Sequence, residues 1–244
     1  MKKLSTCFVA LVAIFALASC GSTKSIPAQS ASATYKVGDM YNQNGVKGVV
    51  VKVDASGQHG ILMSLEGSKE KWTSDKKFDF ETSAFFEDDG QKNMEAIAKY
   101  IEAGNAEWSD FPVLNWARSL GEGWYIPAKD EVEEIWKNMS GGTGEYRFGS
   151  RFSRNDFQKF DYAQREYGGE KLVDDRFQIG TQQPFYWYTS TEGDGGMVYS
   201  YQFDHSSFKD EMMIGIGSTK FAASLTKKCP AIIAQWRSRA IRKF

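Results

Sequence analysis

The hydrophobic period of this chain changes twice, and that order limits the folds open to it more than any single motif. Apolar, β-branched runs come first, at Gly48–Asp54 and Gly60–Leu65. Three stripes at helical spacing follow: Met94, Ile97, Ala98 and Ile101; Val113, Trp116, Ala117 and Leu120; Val132, Ile135, Trp136 and Met139. From Phe185 the pattern is again that of strands. Phe185–Ser190 is aromatic and β-prone, and Met197, Tyr199, Tyr201 and Phe203 alternate along one face. Strands, then helices, then strands predict an α+β domain whose stripes face a shared core.

Punctuation between the segments agrees with this. Ala55–His59 contains Gly57 and is short enough to close a β-hairpin. Asp88 and Asp89 stand near the start of the first helix and Gly104 at its C′ position; Pro112 opens the second helix and Gly121 ends it; Gly141 and Gly142 close the third. A weaker helical pattern covers 156–167, with Phe157, Phe160, Ala163 and Tyr167 on one side. Glu192–Gly196 reads as a turn, and Ala231–Phe244 alternates like a final strand. With no internal repeat and no second linker, residues 35–244 form a single predicted domain.

The N-terminus carries a different signal. Lys2 and Lys3 precede an apolar run from Cys7 to Leu17 that is too short to span a bilayer, and small residues lead to Cys20 and Gly21. Leu17-Ala18-Ser19-Cys20 resembles the lipobox of bacterial lipoproteins. That resemblance implies a signal peptide over 1–19, cleavage before Cys20, lipidation of Cys20 and attachment to a membrane through the lipid. Gly21-Ser22 lacks an acidic residue after the cysteine, which by the same resemblance favours the outer membrane, facing the periplasm or the cell surface. The alternative is an ordinary secretory signal in which Cys20 is incidental. Residues 20–34 are rich in Ser, Ala and Thr and read as a flexible tether.

Loss of Lys2 and Lys3 takes the basic count from 30 to 28 against 31 acidic residues, a net charge of −3, so nucleic acid is not an expected partner. Cys229 becomes the one free thiol, too few for an internal disulfide or a thiolate zinc cluster. The fold must rest on its core, and 14% aromatic residues with seven Trp supply one.

Four segments together carry a family resemblance. Gly121-Glu-Gly-Trp-Tyr-Ile-Pro-Ala-Lys-Asp-Glu-Val132 resembles the "GW-x-L-P-x-x-x-E-L" segment of C-type lectin-like domains found in bacterial lipoproteins. Tyr186-Trp-Tyr-Thr-Ser-Thr-Glu192 resembles their "YWSSTE" strand, and Arg239-Ala-Ile-Arg-Lys-Phe244 their closing "R-x-V-R-x-F" strand. Gly57-Gln-His-Gly-Ile-Leu62 resembles the opening of the related Fibrobacter succinogenes major paralogous domains. The resemblance implies a C-type lectin-like fold, with antiparallel sheets and helices packed on one side. Within it, Trp124 and Ile126 enter the core, Trp187 anchors a central strand, and Ser190, Thr191 and Glu192 satisfy backbone groups at that strand's end.

Two departures stand out. Ala128 replaces the usual Ser or Thr after Pro127 and removes an N-cap worth about 1 kcal/mol. Asp130, Glu131 and Glu133 are expected to offset the loss through the helix dipole. Residues 146–183 are longer and more charged than a minimal domain needs.

Catalytic chemistry finds little purchase. The related formylglycine-generating enzymes rely on a cysteine pair, which Cys229 alone cannot supply. His59 lies in the hairpin turn, and Asp204-His205 with Ser206 and Ser207 are too close in sequence for a triad. No recognisable zinc or calcium pattern appears, Gly141-Gly-Thr-Gly144 lacks the lysine of a phosphate loop, and no cofactor is expected. Asp88-Asp89, Glu133-Glu134 and Asp174-Asp175 read as solvated faces or helix starts.

Binding remains. In the lectin-like fold, ligands meet the later strands, which here means Tyr186, Tyr188, Asp194, Tyr199, Tyr201 and Asp204. Aromatic planes would stack on a sugar or pack on a protein while carboxylates orient it; the alternative is that these tyrosines are half-buried sheet residues. The leading expectation is a non-enzymatic, membrane-tethered module that binds a glycan or an envelope protein. A structural or assembly subunit is the second, and a carbohydrate-active enzyme with two carboxylates the third.

Overall fold

The computed structural model describes residues 33–74, 80–139, 169–170, 185–203, 222–228 and 238–244, all within one unit, Ala33–Phe244. The candidate helix at 156–167 and the segments 1–32 and 231–237 lie outside the described residues.

The first sheet begins with a hairpin. Strand β1 (Met40–Gln43) pairs antiparallel with β2 (Val46–Val53), and Asn44 and Gly45 between them both have positive φ, 52° and 79°. A two-residue turn with that geometry matches the twist of the flanking strands, and Asn-Gly is the pair that adopts it most readily. Strand β3 (Gly60–Met63) pairs with β2 on its other side, as the hairpin reading predicted. A shift in register between Val50 and Lys52 leaves Val51 as an extra residue on β2, and Val49, Val50 and Val51 are all buried. Three buried neighbours in a row require cover on both faces of the strand at this point.

Helix α1 (Gly90–Glu102) starts at Asp89, whose carboxylate accepts the Lys92 N–H, and Gly104 follows its C-cap at φ 80°. After a one-turn 3-10 helix (Trp108–Asp110) come α2 (Pro112–Ser119), with Gly121 beyond it at φ 118°, and α3 (Lys129–Met139). The expected stripes do point inward: Ile97, Val113, Ala117, Val132, Ile135 and Trp136 are buried.

The second sheet contains β4 (Phe185–Gly193), β5 (Met197–Phe203) and β6 (Ala222–Lys227), antiparallel and in that order. Strand β7 (Ile241–Lys243) returns to the first sheet beside β3, giving the order β1-β2-β3-β7. Helix α3 packs against β2 of the first sheet and against β4 and β5 of the second, and α1 packs against β4. The fold is thus α+β with antiparallel sheets.

Two expectations about strands change. Trp187 is fully buried, yet among the described residues β4 is an end strand of its sheet, not a central one. Its outer N–H groups at alternate positions are nonetheless occupied: Tyr188 donates to Ser238 Oγ (3.1 Å), Ser190 to Pro127 O (2.8 Å) and Glu192 to Ala84 O (2.8 Å). Loops rather than a strand cover this edge. In the C-terminal segment, Ser238, Arg239, Ala240 and Ile241 are all buried, so its alternation does not separate an inner face from an outer one.

Candidate functional site

Of the six residues predicted to meet a ligand, the structure removes two. Tyr188 and Tyr201 are 0% and 2% exposed. Tyr201 donates its hydroxyl to Lys129 O (2.9 Å) and so fastens the start of α3. Their rings are filling the interior and cannot stack on a sugar. Tyr199 is half-buried, with the Lys129 ammonium 5.8 Å from its ring centroid. Asp194 is exposed in the β4–β5 turn, and Tyr186 lies on β4. Asp204 and His205 lie outside the described residues. Tyr188 and Tyr201 therefore do not share an exposed surface with Tyr199 and Asp194. The physical reason is cover on both faces of β4: the adjacent Trp187 and Tyr188 point to opposite sides and both are fully buried. Beyond them the strand bulges, since Tyr188 faces Ser200 and Glu192 faces Val198, so Thr189, Ser190 and Thr191 all stand opposite Tyr199. A bulge breaks the two-residue alternation and re-aims the side chains that follow it.

What the bulge aims is a polar cluster, and what the cluster holds is the loop 81–88. Thr191 Oγ1 accepts the Lys129 N–H (3.0 Å), which supplies from another strand the helix cap that Ala128 lacks. The same hydroxyl donates to Phe86 O (2.9 Å). Asn93 of α1 grips Phe86 with both ends of its amide, Oδ1 accepting the Phe86 N–H (2.9 Å) and Nδ2 donating to Phe86 O (2.7 Å). Nδ2 also reaches Ser190 Oγ (3.1 Å). Glu192 Oε2 accepts the N–H groups of Thr82 (2.8 Å) and Ala84 (3.2 Å), and Asp130 N–H donates to Glu87 O (2.7 Å). Lys129 closes the outer side with ion pairs to Glu87 (3.0 Å) and Asp130 (2.6 Å). Burial works against its charge, but these hydrogen bonds win and hold its pKa above the usual lysine value.

Beneath the loop lies a buried ion pair. Lys228 and Glu192 contact each other with both side chains wholly inaccessible, and Lys228 Nζ also donates to Phe80 O (2.7 Å). Its ammonium sits 4.8 Å from the Trp72 ring centroid and 4.6 Å from that of Phe80. Burial pushes the Lys228 pKa down, and the Glu192 charge opposes that.

The outward side of the loop is different. Thr82 and Ala84 point in, whereas Phe85 and Phe86 are 45% and 43% exposed. Among the described residues the exposed large hydrophobics are these two and Val37. Ser83 holds a left-handed backbone, φ 66°, which a non-glycine residue adopts only under local constraint. An apolar pair is thus displayed on a backbone pinned at 82, 84, 86 and 87. Thr191→Val should cost about 1–2 kcal/mol, the range for a lost N-cap, and should speed cleavage near Phe86 in limited proteolysis. Thermal unfolding and the digestion pattern check both effects.

Sequence reasoning expects Ser190, Thr191 and Glu192 to satisfy backbone groups at the end of a strand; Thr191 and Glu192 do so, while the Ser190 hydroxyl meets the Asn93 side chain. It did not single out the loop or the ion pair. The loop's signal was available in Phe85-Phe86 between acidic residues, without any helical or strand period to justify two adjacent apolar rings.

Among the described residues no cluster of three or more His, Cys, Asp or Glu could hold a metal ion. No described helix is long and apolar enough to cross a membrane. Compared with known proteins, the chain matches no family model, no curated protein and no solved structure at a significant level.

Proposed function

We propose that this protein is a non-enzymatic binding module of the cell envelope, with a C-type lectin-like domain tethered to a membrane through lipidated Cys20. The observation that carries the binding reading is the loop 81–88, where four side chains from α1, α3 and β4 restrain a segment that leaves Phe85 and Phe86 exposed. Loops held on a rigid scaffold are where recognition concentrates. The buried carboxylates among the described residues support a non-enzymatic reading too. Glu131 and Glu192 are both occupied by internal donors, which leaves neither positioned as an acid or nucleophile for a glycosidic bond. The lectin-like fold is supported by the four motif segments, all of which lie in or beside described strands and helices, and the lipid anchor by the residues preceding Cys20.

A structural or assembly subunit is the second reading, favoured by the same exposed phenylalanines, since large apolar side chains at a surface serve protein contacts. Two measurements test the proposal. Metabolic labelling with a lipid precursor should mark the wild-type chain and not Cys20→Ser. Binding of the full chain to a glycan array or to envelope proteins should be detectable in at least one format; silence in both would overturn the binding reading.

A further inference from the structure

We infer that the loop 81–88 is a docking site for a protein, and that the partner places a lysine or arginine next to an apolar side chain. This rests on the binding-module reading and narrows it to one class of ligand. What the loop turns outward decides the class. Its backbone polar groups at 82, 84, 86 and 87 are directed at Glu192, Asn93, Thr191 and Asp130, and the hydroxyls of Ser190 and Thr191 are buried. Exposed carboxylates stand beside the two rings, an apolar and acidic surface that complements a basic residue next to an apolar one. What is left outside is apolar surface and negative charge.

The charge is one-sided. Four acids, Glu81, Glu87, Asp88 and Asp89, and no base lie between Phe80 and Gln91. Among the described residues the nearby cations are already engaged: Lys129 with Glu87 and Asp130, Lys92 with Asp89 at 3.5 Å, Lys243 with Gln91, and the buried Lys228 with Glu192. Glu81 and Asp88 are exposed. A cation on this surface is chemically at home, because the Lys92 ammonium already stands 5.5 Å from the Phe86 ring centroid. A partner's basic group over Phe85, flanked by Glu81 and Asp88, would repeat that arrangement, with an adjacent apolar residue covering the rings. Because the loop is immobilised before binding, little ordering entropy opposes the contact. Net negative charge also disfavours an anionic lipid surface as the occupant.

The test uses the full chain and a phage-displayed library of random dodecapeptides, selected at low salt. Enriched peptides should share a basic residue beside an aromatic or aliphatic one. A synthetic copy of the strongest should bind the wild type at least tenfold more tightly than Phe85→Ser, with Phe85→Leu between them, and added salt or Glu81→Gln/Asp88→Asn should weaken it severalfold. Both phenylalanines are surface residues, so the variants should keep the wild-type unfolding temperature. Peptide binding indifferent to Phe85 and Phe86, or the absence of a basic–apolar consensus, would overturn the inference. So would a glycan-array signal, or binding to phosphatidylcholine/phosphatidylglycerol vesicles, that Phe85→Ser abolishes. A glycan signal would leave the binding-module reading intact, whereas silence towards peptides and glycans alike would count against both.

Discussion

Lys228→Met should lower the unfolding free energy by about 3–5 kcal/mol, the loss typical of leaving one half of a buried ion pair uncompensated. In a domain of this size that corresponds to a fall in unfolding temperature of about 10 °C. The methionine fills much of the space between Trp72 and Phe80, so the loss is electrostatic rather than a cavity. Glu192 would lose its counter-charge while inaccessible, keeping the N–H groups of Thr82 and Ala84 as donors. Adding Glu192→Gln should therefore recover most of the loss, because a neutral amide oxygen still accepts those bonds. Thermal and urea unfolding of the two single variants and the double variant would settle it. If the double variant were no more stable than Lys228→Met, the pair would not be the source of the effect. Because Glu192 anchors Thr82 and Ala84, the single variant should also loosen the loop that carries Phe85 and Phe86.

Glu131→Ala should be the second most damaging change, at about 3 kcal/mol. One carboxylate, 8% exposed, joins three donors: the N–H groups of Gly90 (3.0 Å) and Ala128 (2.9 Å), and the Tyr125 hydroxyl (2.8 Å). It ties the starts of α1 and α3 together, and each buried donor it abandons costs about 1–3 kcal/mol. Gly90 admits this arrangement because a Cβ there would lie 2.5 Å from Ile126 O. The role goes beyond the dipole effect expected of an acid in the first turn. It is direct capping, shared with Thr191.

The same residue should give stability an inverted pH dependence. Burial raises the Glu131 pKa, the Asp89 charge adds to this, and the hydrogen bonds from Ala128, Tyr125 and Gly90 only partly oppose it. Tyr125 is raised in turn by burial and by Glu131. Since the folded value lies above the ordinary 4.5, the folded state holds this proton more tightly than the unfolded chain. The resulting stability is fully present below pH 4.5 and is lost as pH rises through the folded value. Glu131→Gln should be insensitive to this titration, so the advantage of the wild type over it should shrink as pH increases from about 4 to 7. Urea midpoints at four pH values would measure the trend, and a growing advantage would contradict it.

Much of the architecture was legible because it depends on neighbours in the chain. The hairpin at 46–63, the three helices and the cap residues Asp89, Gly104 and Gly121 follow from local period and backbone preference. Strand β1 was overlooked although Asn44-Gly45 signalled it. The binding residues were less legible. Period two says that Tyr199 and Tyr201 share a side of β5, but not that Tyr201 lies beneath α3.

By itself, then, the sequence determined the strand–helix–strand order, the α+β class and the capped ends of α1 and α2, since those choices are made within a few residues. Where local period marked no inward face, tertiary structure alone decided which side chains are inside. Lys228, beside Lys227, has the look of a solvated cation until Glu192, Trp72 and Phe80 surround it. Phe85 and Phe86 have the look of core residues until Glu192 and Asn93 turn the backbone between them and leave the rings outside. At these positions burial is set largely by what arrives from far along the chain, Glu192 reaching Thr82 across 110 residues and Lys228 reaching Phe80 across 148, which no local pattern encodes.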